Sequence, residues 1–413
     1  MSYKKSFSIL SIRALNKLGF SHILDDRHTI ETTDIVNQFD FSLQDIDSSL
    51  LLHRIYKEPL DLKRIIWFLP GINNPFWGGI HTVLRFAAFF KERYGVENCF
   101  AITGNYPEIA IQNAISSVFP NLKNEEIYLV KKEKDLDDLT GGDISICTQW
   151  KTALFSLKFN KVKRKFYFIQ DYEPLFYPAG SISALIEETY RFGFFGISNT
   201  VSLKNIYDSY NGGHSHFFTP SIDKQVFYPQ INRRERDSKL VFFYARPEHP
   251  RNGFELGVTA LEKLKQNMGD NVRIVTAGAS WSPEEYGLDG IIENLGLIKY
   301  EETADLYRHC DVGLIMMFTR HPSYLPLELM ACGCPVVTNY NPATTWLLHD
   351  RENCFLSKAS ASCIAETLQT CLKDKDTRKI VIQNGFRTIE KMEPWEKEMD
   401  KVFEYMSGGC LGQ

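Results

Sequence analysis

The sequence predicts an α/β protein with two doubly wound, Rossmann-like parallel-sheet domains facing each other across a cleft, preceded by an N-terminal extension. Three observations carry this. The chain has 413 residues, and at roughly 150 residues per domain that allows two to three domains. Short apolar runs alternate with helix-length segments along most of it. One polar, charged interruption, FYPQINRRERDS (227–238), splits the alternation into two series.

Residues 1–60 mix polar and apolar positions without a strand signal and read as short helices or an irregular extension. Their basic start, MSYKKSFSILSIRALNKLGF, has no apolar stretch followed by a small-residue cleavage site, so no secretory signal is expected. RIIWFLP (64–70) is a short apolar run closed by Pro and Gly, as in a parallel strand buried on both faces. Ile80, Val83, Leu84, Ala87 and Ala88 then follow the spacing of a helix packed on a sheet. NCFAIT, EIYLV, DISICT, RKFYFIQ and FGFFGIS continue the strand series. After the interruption, KLVFFYAR (239–246) restarts it, a helix carries Phe254, Gly257, Val258, Leu261 and Leu264, and IIENLGLI, VRIVTAG, DVGLIMM and PVVTN read as further strands. The last helix, WEKEMDKVFEYM, gathers Trp395, Met399, Val402, Phe403 and Met406 on one face. The domain bounds are therefore an extension over 1–60, a first domain over 61–220, a linker over 221–238, a second domain over 239–390, and a C-terminal helix over 391–413 that crosses back to the first domain.

Composition narrows the function. A hydrophobic content of 44% excludes a disordered chain, and a net charge of -4 excludes a nucleic-acid footprint over the whole molecule. Nine cysteines are scattered singly, the closest pair being Cys332 and Cys334, which fits reduced buried thiols in a cytoplasmic protein and gives no zinc spacing. No apolar run approaches membrane-span length.

Four segments at strand ends carry chemistry. GINNPFWGGIHTV (71–83) is a glycine-rich turn in which Gly78 and Gly79 let backbone N–H groups approach a ligand; it lacks both dinucleotide and P-loop spacing, and a plain tight turn is the alternative. IQDYEPLFYPAG (169–180) sets Asp171 and Glu173 two residues apart, on one side of an extended segment, among Tyr172, Phe176 and Tyr177. Carboxylates beside ring faces suit a sugar; a packed surface loop is the alternative. YARPEHPRNG (244–253) offers Arg246 and Arg251 where a doubly wound sheet presents its ligand, with the fork geometry that phosphate takes; a solvated charged loop is the alternative, more so for Arg251. TRHPSYLPLELMACGCPVVTN (319–339) leads into a helix whose first-turn N–H groups offer an anion site and whose Glu328 accepts hydroxyl donors, or serves as a simple dipole residue.

Taken together, FFTPSIDKQVFYP (217–229), Arg246, LGLIKYEETADLY from Leu295, and LPLELMACGCPVV resemble family 4 of the retaining glycosyltransferases over about residues 217–405. IQDYEPLFYPAG and the overall layout resemble the WsaF-type rhamnosyltransferases of S-layer glycan assembly. The resemblance implies the GT-B architecture, with the acceptor held by the first domain and the nucleotide sugar by the second. It implies a hexosyltransferase moving L-rhamnose from dTDP-L-rhamnose onto a hydroxyl of a rhamnan-type cell-surface glycan. The donor side would comprise Gly79, Arg246, Arg251, Lys299, Arg320, His321, Ser323, Tyr324, Leu325 and Glu328. The acceptor side would comprise Gly78, Asp171, Tyr172, Glu173, Phe176 and Tyr177, with Asp171, Arg246 and Lys299 as the catalytic set. Two positions depart from the family: Arg320 stands where a first glutamate is usual, and Asn252 where a lysine precedes Gly253, leaving Arg251 or Lys299 to supply that charge.

No metal and no cofactor are expected, the dTDP-sugar being substrate, and no nucleic-acid partner. KFNKVKRKF (158–166) reads either as a contact for anionic lipid or a lipid-linked acceptor at the inner membrane face, or as a solvated edge. A homodimer is compatible with the sequence. Two other readings stand beside the transferase, a GT-B-shaped sugar-nucleotide epimerase and a non-catalytic carbohydrate-binding protein.

Overall fold

The computed structural model describes residues 31–72, 75, 78–212, 214–230 and 237–408. The expectations for residues 1–30, for the charged stretch 231–236 and for 409–413 lie outside the described residues.

The first sheet has seven parallel strands in the order β3-β2-β1-β4-β5-β6-β7. They are β1 (Arg64–Pro70), β2 (Glu97–Thr103), β3 (Glu126–Val130), β4 (Ile144–Cys147), β5 (Arg164–Ile169), β6 (Phe195–Asn199) and β7 (Ser215–Phe218). The continuous apolar run of β1 has a simple cause. Ile65, Trp67 and Leu69 feed one helix-covered core layer, while Ile66 and Phe68 feed the layer on the other face. The second sheet orders six strands as β10-β9-β8-β11-β12-β13, again parallel. These are β8 (Lys239–Tyr244), β9 (Val272–Ala277), β10 (Glu293–Asn294), β11 (Val312–Ile315), β12 (Val336–Asn339) and β13 (Phe355–Ser357). IIENLGLI shrinks to the two residues of β10, because polar Asn294 turns its side chain back to the carbonyls of Ala279 and Trp281.

The described part of the extension is helical, over residues 31–38 and Leu43–Ile55. Ser42 and Asp45 cap the second helix reciprocally. Arg164, at the start of β5, ties the segment after the extension to the last helix. Its guanidinium donates to the carbonyls of Tyr56, Lys57 and Glu58 after the extension, and to that of Met406 in the last helix. That helix, Trp395–Ser407, returns to the first domain, where Trp395, Met399, Val402 and Met406 complete a core layer.

Two sequence expectations need correction. KFNKVKRKF is not solvated throughout: Asn160 and Lys161 are exposed, but the cations have partners within the fold. Arg164 and Lys165 are fully buried, Lys158 pairs with Glu133, Lys161 donates to the carbonyls of Leu136, Asp137 and Leu139, and Lys163 pairs with Asp143. The first part of the linker is likewise not free, because Ile222 and Phe227 are buried in the core of the second domain. Among the described residues no helix is long and apolar enough to cross a membrane.

Candidate active site

The carboxyl ends of both sheets open onto one cleft, with a cavity of about 550 Å³ lined by residues of both domains.

On the second-domain wall, Arg246 lies two residues beyond β8. Its Nη1 is 3.4 Å from the Tyr244 hydroxyl, and Nη2 meets His249 Nε2. A guanidinium only donates, so Nε2 is the acceptor and the His249 ring is neutral. Burial, helped by the charges of Arg246 and Arg251, holds that imidazole down to about 4. Gly278 makes room for the arrangement. Its φ is +119°, and a Cβ there would sit 2.6 Å from the Tyr244 ring and 3.3 Å from Arg246 Cγ. Arg251 lies over the Phe176 ring at 4.3 Å, with its Nε 3.7 Å from Asp171 Oδ2.

The loop after β11 is held from below. Asn339 bonds both backbone groups of Met317, and Asn341 reaches the carbonyls of Met317 and Thr319. It carries His321, Ser323, Tyr324 and Leu325 into the cleft and leads to the helix Leu325–Ala331. The expected anion site at this helix's start is not built. The N–H groups of Leu327 and Glu328 go to the Tyr324 carbonyl, that of Leu325 faces Ser323 Oγ, and Pro326 has none. Glu328 does line the cleft, with no hydrogen bond to its carboxyl among the described residues, and burial pushes it up to about 7.

The first-domain wall separates residues that the sequence grouped. Asp171 is at the cleft, between Arg251 and His321, whose Nε2 is 3.5 Å from Oδ2. Gly78, Gly79 and Phe176 also line it. Asp171 and Glu173 do not share a side, because the segment curls into the 3-10 turn Glu173–Phe176 and leaves the extended state that would align them. The Glu173 carboxylate borders the cleft but is turned into the domain, accepting from the Trp150 N–H (2.7 Å) and the Tyr167 hydroxyl (2.9 Å). Burial raises it to about 8. Tyr172 bonds Glu187 and Tyr210, and Tyr177 packs against Trp150, so neither reaches the cleft.

Two donor-side expectations also fall outside. Lys299 caps the helix Tyr300–His309 with its side chain 81% exposed and paired to Glu302, while its neighbours Ile298 and Tyr300 face the cavity. The turn of chain into that helix points alternate residues outward. Arg320 is exposed and outside the lining. Of the two candidates for the charge missing at Asn252, Arg251 lines the cleft and Lys299 does not.

Several lining residues escaped the sequence reading. His81 and Arg85 lie one turn apart on helix Gly78–Tyr94, opposite its apolar stripe, and that polar i, i+4 pair was the available signal. Arg85 sits 5.0 Å from the Trp395 ring. Burial, with Arg85 nearby, lowers His81 to about 4. Gln170 donates to the Gly79 carbonyl. Asn199 ends β6, and buried Thr200 follows it at φ +83°. A β-branched residue there costs about 1–3 kcal/mol, a cost typical of functional sites.

The cleft thus sets two guanidinium groups and one hydroxyl-accepting carboxyl on one wall, opposite a carboxylate and an aromatic ring. That set can neutralise a diphosphate and orient a sugar hydroxyl. Among the described residues no group of three or more His, Cys, Asp and Glu side chains could hold a metal ion.

Comparison with known proteins agrees with this layout. The family model described as WsaF, C-terminal domain, matches residues 239–369. The O-antigen biosynthesis protein RfbC of Myxococcus xanthus is 40% identical over 341 residues, covering 82% of this chain but 26% of that protein. A D-inositol 3-phosphate glycosyltransferase of Paenarthrobacter aurescens is 25% identical over 178 residues, covering 39% of this chain and 43% of its own. The chain therefore spans about a quarter and under half of these relatives. Among solved structures, sucrose-phosphate synthase of Thermosynechococcus elongatus superposes with a TM-score of 0.65 at 13% identity, covering 83% of this chain and 98% of that one. HepE of Anabaena, in complex with UDP, gives 0.63 at 14% identity, covering 83% and 99%. These likenesses show the fold, and the architecture is GT-B.

Proposed function

We propose that the chain is a nucleotide-sugar-dependent glycosyltransferase of cell-surface glycan assembly, moving a hexosyl unit from a nucleoside diphosphate to a glycan hydroxyl. One observation carries the reading: Arg246, braced by Tyr244 and His249, and Arg251 face Asp171 across a cleft that also holds the half-buried Glu328. Negative charge grows on the departing diphosphate, so guanidinium groups fixed beforehand stabilise the transition state more than the ground state. In this reading they neutralise it without a metal. Glu328 takes a ribose hydroxyl, and Asp171 orients or deprotonates the attacking hydroxyl.

Support for the donor class comes from HepE, described in complex with UDP and with UDP-glucose. Support for glycan assembly comes from RfbC. The finer reading, L-rhamnose from dTDP-L-rhamnose onto a rhamnan-type acceptor, rests on the WsaF match of the second domain and the motifs that resemble that family. Calorimetry against dTDP, UDP and GDP, followed by a transfer assay with the sugar conjugates of the tightest binder, tests both levels. Tight UDP and no dTDP binding removes the rhamnose donor, and nucleotide binding without transfer to any glycan acceptor removes the transferase.

A further inference from the structure

Tyr324 belongs by sequence to the loop that leads to Glu328, yet its ring is seated in the other domain. It packs against the core layer formed by β1, helix Gly78–Tyr94 and the returning C-terminal helix, edge-on to Trp395 at 6.2 Å. Its hydroxyl lies 3.0 Å from Thr82 Oγ1 and 3.2 Å from Asn199 Nδ2.

The direction of these bonds follows from counting protons. Thr82 Oγ1 has one, which goes back along the helix to the Gly78 carbonyl at 2.7 Å. Thr82 must therefore accept from Tyr324, whose single proton is then used, and Tyr324 must accept from the Asn199 amide. A one-way chain runs from Asn199 through Tyr324 and Thr82 to Gly78. It joins the end of β6, the donor-side loop and the glycine turn. The chain leaves Asn199 Oδ1 buried without a partner. The same loop is tied across the cleft a second time, at His321 and Asp171.

We propose that Tyr324 is a positioning residue rather than a donor ligand. Its hydroxyl locks the loop before Glu328 onto the first domain, making closure of the cleft and the setting of the donor wall a single event. The kinetic consequence rests on the glycosyltransferase reading, while the structural one does not.

Tyr324→Phe keeps the ring and removes the link. A lost hydrogen bond of ordinary strength shifts an open–closed equilibrium by up to about tenfold. The transfer kcat is expected to fall by about that factor, with the Kd for UDP or dTDP within about threefold of wild type. Small-angle scattering of the ligand-free variant should show a larger radius of gyration. Thr82→Val breaks the chain one bond further on, so Tyr324→Phe/Thr82→Val should be no slower and no more open than the more affected single variant.

A large rise in nucleotide Kd with unchanged kcat and unchanged scattering would make Tyr324 a donor ligand and overturn the proposal. Simple addition of the two variants' effects would overturn it as well. If wild type transfers no sugar, the glycosyltransferase reading falls alone, and the scattering comparison still decides the coupling.

Discussion

On the second-domain wall of the cleft, Arg246 is braced within its own domain by Tyr244 and His249, and Gly278 clears the space for Arg246 and Tyr244. On the first-domain wall, Asp171 lies within 4 Å of two groups across the gap, the Arg251 guanidinium and the His321 ring. One wall is preset and the other is completed by closure. Preset charge suits a group whose task is to stabilise a leaving diphosphate, because no reorganisation is needed at the moment of reaction. Charge shared across a gap suits a group that must exchange one partner for another as substrates enter.

The contrast is open to attack from either side. The largest effect belongs to the preset wall. Arg246→Ala should cut transfer by about 10²–10³, with the lysine variant recovering only part because it lacks the planar fork. Near wild-type single-turnover rates in Arg246→Ala would dissolve the distinction between the walls. Next is Glu328. Glu328→Ala should weaken nucleotide binding about ten- to a hundredfold, the loss of one charge-assisted hydrogen bond. Because burial raises the carboxyl to about 7, it becomes the better acceptor as pH rises, so wild-type affinity should increase between pH 6 and 8. Titration calorimetry of Glu328→Gln should show that pH dependence flattened.

Asp171→Asn sharpens the comparison directly. Turnover should drop while nucleoside diphosphate binding holds or tightens by about two- to fivefold, since Arg251 is released from its cross-cleft partner. A collapse of nucleotide affinity would put Asp171 on the preset side. The smallest effect is on stability. Glu173 has a folded value near 8, above the ordinary 4.5 of the unfolded chain, so the folded state binds the extra proton. Its burial therefore disfavours folding increasingly as pH rises from about 4.5 to 8. Glu173→Gln keeps an acceptor for Trp150 and Tyr167 without the charge, and its melting temperature should fall less than wild type's between pH 5 and 8.

How far these positions were legible depends on the range of the interaction that sets them. Strand ends were readable because buried parallel strands are continuous apolar runs, and this placed Asp171 and Arg246 at the cleft, while Glu328 was read from the first turn of its helix and the family motif. Helix phase was half readable. The stripe through Val83 and Ala87 implied an opposite face, and His81 and Arg85 are on it. Local curvature was not. A 3-10 turn at Glu173 undoes the parity of an extended segment, and the entry into helix Tyr300–His309 turns Lys299 outward. Least legible was Tyr324, whose bonding partners lie 242 and 125 residues away. The partners of the basic stretch 158–166 were hidden for the same reason, since they lie at 133–143, after the extension at 56–58 and in the last helix at Met406.

The clamp at Arg164 has a bearing on biosynthesis. A ribosome releases the whole of the second domain, residues 239–390, before it releases helix Trp395–Ser407. That helix supplies Trp395, Met399, Val402 and Met406 to the first domain's core, and Met406 supplies a carbonyl to Arg164. The half encoded later can thus mature first, while the half encoded earlier waits with an unfilled groove, and with one of Arg164's four carbonyl acceptors still to come, until that helix emerges. For this chain, vectorial synthesis and order of assembly run in opposite directions.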